Sequence, residues 1–315
     1  MNLALGSGVY MVLAGVWLFL ILATIGVERL AARGRSVEEL QQRISSWWTI
    51  VVVCSIALLL SRTVALVFFA LVSFLALKEY LSLIPTRRAD RRVLFWAYLS
   101  IPIQYYWIGI EWYGMFIIFV PVYMFLLLPV AMILVGETQG YLRAAGTLHW
   151  GLMSMVFSLS HLAFLLVLPH VGGQAIGERA VSGQGLVLFL IVLTQLNDVA
   201  QYCWGKLLGR RRIAPKVSPN KTVEGFVGGV LSTVLIAYGL GPWLTPFTPL
   251  DTLLAGLLIG IAGFFGDLGI SALKRDLGIK DSGTLLPGHG GILDRVDSLT
   301  YTAPLFFHFT RYYYF

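Results

Sequence analysis

Met115-Phe-Ile-Ile-Phe-Val-Pro-Val-Tyr-Met-Phe-Leu-Leu-Leu-Pro-Val-Ala-Met-Ile-Leu-Val135 contains no charged side chain. A bilayer core takes about 20 apolar residues per helix, so this stretch reads as a transmembrane span. Working outward, similar runs bounded by charge, proline or glycine bring the total to about ten. They cover Tyr10 to Val27, Trp47 to Leu60, Thr63 to Leu83, Val93 to Ile110, Met115 to Val135, Leu148 to Leu168, Leu186 to Trp204, Phe226 to Leu244, Leu253 to Leu273 and Leu293 to Phe307. The second and third are joined only by Ser61 and Arg62, which predicts a tight hairpin or a kinked pair. The first has neither a basic leader nor a small-residue cleavage site, so it is expected to remain as a helix. Composition agrees. The 315 residues are 57% hydrophobic and 12% charged, with a mean hydropathy of +0.79. That is too little charge to form the polar shell of a soluble protein, for which about 25% is usual. The fold class is therefore an all-α polytopic integral membrane protein. Cys54 and Cys203 fall in apolar stretches, form no metal-ligand pattern and are expected to serve as packing.

Alternating loops between these spans test the count against the positive-inside rule. One side receives 20 of the 23 basic residues, leaving only Arg62, Arg179 and Arg311 opposite. Both termini are thereby expected outside, and the loops after the seventh and ninth spans in the cytosol. Topology thus accounts for much of the net charge of +7, with no need of nucleic acid. Seven of the eight aspartates lie between Asp198 and Asp297, so residues 1–180 read as mainly scaffold and 181–315 as the catalytic region. Asp90, among arginines, reads as a solvated loop charge. His161, in mid-span, is expected to face the bundle interior in a structural role.

Two loops carry the chemistry. The first runs from Gly205 to Gly225 and includes Arg210, Arg211, Arg212, Lys216, Ser218, Lys221, Thr222 and Glu224. Its cations suit a multiply charged phosphate, Ser218 and Thr222 add hydroxyls, and Glu224 fits a helix start. An ordinary basic cytosolic loop would read the same way. In the second, Asp267, Ser271, Lys274 and Arg275 share one helical stripe, and Asp294 and Asp297 are three apart on one face. Pro287 and Gly288 break the chain, and Gly290 and Gly291 let backbone N–H groups turn toward a phosphate. Alternating carboxylates and cations are what a polyphosphate and its divalent metal require. A GxxxxGK[ST] pattern is missing, which argues against a P-loop ATPase.

The string Ser271-x-Leu-Lys-Arg-x4-Lys280-Asp281-x-Gly-x2-Leu-Pro287-x-His-Gly-Gly-Ile-x-Asp294-Arg-Val-Asp297 resembles the signature of the phosphatidate cytidylyltransferase (CDP-diacylglycerol synthase) family, with every fixed position filled. Asp198-x3-Tyr202-x2-Gly205 and Ser218-Pro-x-Lys221-Thr-x-Glu224-Gly225 are similar to that family as well. Gln201, where the family usually has alanine, and an apparent extra N-terminal helix depart from its pattern. The resemblance implies transfer of a cytidylyl group from CTP to phosphatidate, giving CDP-diacylglycerol and pyrophosphate at the cytosolic ends of the C-terminal helices. It implies Mg²⁺, with a second and monovalent cation, held by Asp267 and Asp281 and supported by Asp198, Asp294 and Asp297. Lys221, Lys274, Arg275, Lys280 and Arg295 would neutralise phosphates, and His289 would donate a hydrogen bond to phosphate or pyrophosphate. A homodimer in a bacterial inner membrane is implied too. A transferase acting on another lipid phosphate, or an anionic-lipid transporter, are the competing readings; the transporter leaves the aspartate cluster unexplained.

Overall fold

The computed structural model describes residues 6–33, 37–171, 182–283 and 290–315. Its helices are α1 (Ser7–Ala32), α2 (Glu38–Leu60), α3 (Arg62–Leu83), α4 (Arg91–Gly109), α5 (Tyr113–Ile118), α6 (Phe125–Val135), α7 (Tyr141–Gly151), α8 (Leu159–Val171), α9 (Gly183–Leu208), α10 (Val223–Leu244), α11 (Pro249–Asp276), α12 (Leu293–Val296) and α13 (Leu299–Tyr314). Wider π-helical turns at Phe119–Met124 and Leu152–Ser158 make α5 continuous with α6 and α7 with α8. Ser61 alone separates α2 from α3: its extended backbone breaks the helix and its hydroxyl accepts the N–H of Val64, capping α3.

Among the described residues, eight helices are long and apolar enough to cross a membrane. Two of the ten expected spans fall short. Helix α4 opens on Arg91 and Arg92 and carries Ser100 and Gln104. The expected span from Leu293 to Phe307 is divided at Asp297 and Ser298, and the 16 residues of α13 reach only about 24 Å, less than the roughly 30 Å hydrocarbon core.

Burial separates the centre of the bundle from its lipid-facing rim. In Tyr141–Pro169 the most apolar window is 78% buried, against 28% in Ser7–Ala32, Tyr113–Val135 and Val223–Leu244. Apolar side chains such as Leu134, Leu142 and Leu235 project outward, as lipid contact favours. One apolar core runs through both the N-terminal and the C-terminal helices. His161 is fully buried there, its Nδ1 2.8 Å from the carbonyl of Phe157 and its ring between Phe116 and Phe307. Cys203 is exposed, contrary to the packing role expected of it, because it sits on an outward face of α9.

Close backbone approach brings the C-terminal helices into register. A methyl group at Gly266 of α11 would lie 2.7 Å from the carbonyl oxygen of Asp297, so only glycine lets the α12–α13 junction pack beside Asp267. Next to it, buried Asn197 of α9 donates to the carbonyl of Gly260 on α11 at 3.2 Å and accepts from Thr233 of α10 at 3.0 Å. One amide therefore joins three helices. The loop between α9 and α10 forms a small antiparallel hairpin, β1 (Arg212–Ala214) with β2 (Ser218–Thr222), that hydropathy did not reveal. Asn197→Ala should lower unfolding stability by about 1–3 kcal/mol, because two buried hydrogen bonds between helices are lost. Thermal unfolding of the detergent-purified variant checks this, and an unchanged midpoint would refute it.

Candidate active site

Asp267 opens the α11 stripe and meets the hairpin through Lys221. Its Oδ1 accepts from the hydroxyl of Ser271 at 3.1 Å, one turn on, as the four-residue spacing requires. Its Oδ2 lies 2.7 Å from Nζ of Lys221, at the end of β2. The same ammonium stands 4.5 Å from the centre of the Phe264 ring, so it is held between a carboxylate and an aromatic face. Asp198, on α9, receives the hydroxyl of Ser298 on its two oxygens at 3.2 and 3.1 Å. Asp297 accepts the backbone N–H of Ser298 at 2.7 Å. Asp198, Asp267 and Asp297 all lie within Coulombic reach of one another. A cleft of about 160 Å³ opens beside them, lined by Asp198, Gln201, Asn220, Lys221, Phe264 and Asp267.

Asp294 does different work. Its Oδ1 binds Nζ of Lys274 at 2.6 Å, while Oδ2 accepts the N–H and hydroxyl of Ser282 at 3.1 and 2.8 Å and the N–H of Gly291 at 3.1 Å. Burial alone would raise this carboxyl, but the Lys274 ammonium and the Ser282 donors hold it below the ordinary carboxylate value. Asp294 and Asp297, expected to work on one face, thus serve separate neighbourhoods. Gly290 has a φ of 74°, a left-handed conformation that favours glycine.

The remaining expected residues divide. Thr222 accepts the N–H of Gly225 at 3.1 Å and caps α10. Glu224 turns back to accept the N–H groups of Arg210 and Arg211 at 2.9 and 3.2 Å, fastening the start of the hairpin. Arg275 keeps its place on the helix but turns its side chain to the carbonyls of Val217 and Ile279, to which it donates at 3.1 and 3.3 Å. Ser218 is half-buried in β2, and Arg295 is half-buried within Coulombic reach of Asp198. Lys280 and Asp281 are exposed and enter no hydrogen bond or ion pair among the described residues. His289 lies outside the described residues.

Sequence reasoning missed Ser282 and Ser298, and above all Glu79. From α3, in the segment read as scaffold, the Glu79 carboxylate accepts the N–H of Ile292 at 2.8 Å and of Leu293 at 3.1 Å. The available signal was its position: an acid within a largely apolar span, even beside Lys78, is costly and points to a partner.

Hard carboxylate oxygens sharing one short ion pair suit a divalent cation chemically. Among the described residues, no three acidic, histidine or cysteine side chains converge as a ready-made cage. Mg²⁺ does not demand one, since it commonly takes one or two carboxylates and completes its shell with water and substrate phosphate.

A helical membrane bundle in which carboxylates lie beside an ammonium group has the make-up of a membrane-embedded enzyme. The model of the cytidylyltransferase family matches residues 41–313, and the chain belongs to that family of nucleotidyltransferases. An uncharacterized protein, YnbB, of Escherichia coli K12 is 48% identical over 302 residues, covering 95% of this chain and 97% of that protein. A phosphatidate cytidylyltransferase of Synechocystis is 51% identical over 114 residues, 36% of this chain and 38% of the relative. One of Staphylococcus saprophyticus is 35% identical over 161 residues, 49% of this chain and 58% of the relative. The match therefore spans about 38–58% of these two relatives, whose names carry an activity.

A depressed carboxyl stabilises the fold fully above its unfolded pKa of about 3.9, and loses that contribution as pH falls through its lower folded value. Asp294→Asn should therefore cost about 2–3 kcal/mol at pH 7, and the deficit should narrow as the pH is taken below about 4. Unfolding of both proteins across that range measures it; a deficit independent of pH would show that the charge of Asp294 is irrelevant.

Proposed function

We propose that this chain is a CTP:phosphatidate cytidylyltransferase, forming CDP-diacylglycerol and pyrophosphate. The observation that carries this reading is the Lys221–Asp267 pair beside Asp198 at the mouth of the cleft, in a chain whose named relatives are phosphatidate cytidylyltransferases. A phosphate oxygen of the lipid attacks the α-phosphorus of CTP, and the bond from that phosphorus to the bridging oxygen breaks, releasing pyrophosphate. The attacking phosphate is already ionised at neutral pH, so no general base is required.

The difficulty is repulsion between two anions in a site of low dielectric. Lys221 is freed for substrate phosphate when its hold on Asp267 is exchanged, with Phe264 keeping the ammonium in place. Arg295, within reach of Asp198, and Arg275, bound to the hairpin at Val217, add positive charge nearby, and Lys280 is an exposed cation of the same motif. Asp198, Asp267 and Asp297 are the residues that would hold Mg²⁺, which supplies charge neutralisation between the two phosphates when bound. Asp294, already engaged by four donors, serves as a loop anchor in this reading. The proposal extends to a cytosolic orientation in a bacterial inner membrane, where CTP arrives from water and phosphatidate from the adjoining leaflet, to a second, monovalent cation, and to a homodimer.

Purified protein in detergent should release pyrophosphate from CTP only when phosphatidate and Mg²⁺ are both present. Release without lipid, or with an unrelated lipid phosphate in preference, would overturn the assignment. Asp267→Asn should lower kcat by about 100-fold or more while the protein still folds, a loss on the scale of removing one preorganised charged group.

A further inference from the structure

We infer that Glu79 of α3 is a positioning residue for nucleotidyl transfer, holding the motif segment from Gly290 to Asp297 at the height where Asp297 meets Asp198 and Asp267. The kinetic part of this inference rests on the activity proposed above, and the structural part does not.

The two Glu79 oxygens are spent on two successive amides. Oε2 takes the N–H of Ile292 and Oε1 that of Leu293, where the chain enters α12 and both groups lack helical partners. The approach is close. A methyl group at Gly291 would stand 1.9 Å from Oε1 of Glu79, and one at Gly283 would lie 3.3 Å from Oε2. Gly291 therefore suits this place partly because a carboxylate from a distant helix occupies the space of a side chain.

Around the same segment, Asp294 binds Ser282, Gly291 and Lys274 from the opposite side. Two carboxylates thus grip three consecutive residues: Glu79 fixes Ile292 and Leu293 against α3, and Asp294, itself bound to Lys274 of α11, fixes Gly291. Three residues on, Asp297 reaches the cluster with Asp267. Without Glu79 the segment loses its hydrogen bonds to α3 and keeps those to Lys274 and Ser282, so the site carboxylate beyond it is held from fewer directions. A misplacement of about 1 Å is enough to cost about 100-fold in rate.

Three measurements on the full-length protein in detergent test this. In Glu79→Ala, amide hydrogen exchange in the peptide containing Ile292 and Leu293 should quicken by about tenfold or more, with the peptides of α8 and α9 unchanged. In the folded variant kcat should fall by about tenfold or more, with KM for CTP within about threefold of wild type. Glu79→Gln keeps one acceptor oxygen, so it should quicken exchange less and recover part of kcat; it also serves if the alanine variant does not fold. Gly291→Ala should be costly in the native background, yet add little in Glu79→Ala, where the clashing carboxylate is gone. Unchanged exchange at 292–293, normal kcat in Glu79→Ala, or strictly additive losses with Gly291→Ala would each overturn the inference. Quickened exchange in a protein whose wild type shows no transfer from CTP to phosphatidate would instead leave the clamp standing and remove the proposed substrate.

Discussion

The chain between the end of α11 and the start of α12 is gathered by the carboxylate of Asp294, which collects hydrogens from three separate stretches. Lys274 reaches it from the end of α11, Ser282 from the loop beyond, and Gly291 from the approach to α12. Hydrogen bonds to a charged acceptor, individually worth about 1.5–3 kcal/mol, do here what hydrophobic burial does in the rest of the molecule.

The rest of the molecule follows lipid logic. Apolar side chains cover the outside as freely as the inside, so the sequence pattern locates helices without saying which face looks inward. Inward faces are set by small residues and a few shared amides. Gly266 admits the backbone of Asp297, and Asn197 joins α9, α10 and α11. This arrangement brings carboxylates from three separate segments, Asp198, Asp267 and Asp297, into one electrostatic neighbourhood.

Much of this was legible from residue order alone. Eight of the ten expected spans were, because a run such as Met115 to Val135 has no other stable home, and the contact between Asp267 and Ser271 was, because four-residue spacing on a helix brings them together. Pairings across loops were not. Asp294 and Asp297 look equivalent at a spacing of three, yet the chain leaves α12 between them and sends them to different partners. Arg275 is on the right stripe but answers to the carbonyls of Val217 and Ile279 instead. The hairpin of β1 and β2 hid inside what hydropathy reads only as a basic loop, and the pairing of Glu79 with α12 spans more than two hundred residues.

That distant pairing makes unequal demands on the two halves of the chain. The motif must keep many side chains at fixed intervals, whereas α3 owes the site one acceptor at one depth, amid apolar residues that are largely interchangeable toward lipid. A lineage can therefore rewrite most of its leading helices, altering thickness preference or neighbours in the bilayer, without disturbing the chemistry, provided this one position stays acidic. Swapping those helices wholesale between related proteins is limited less by overall likeness than by the height of a single carboxylate.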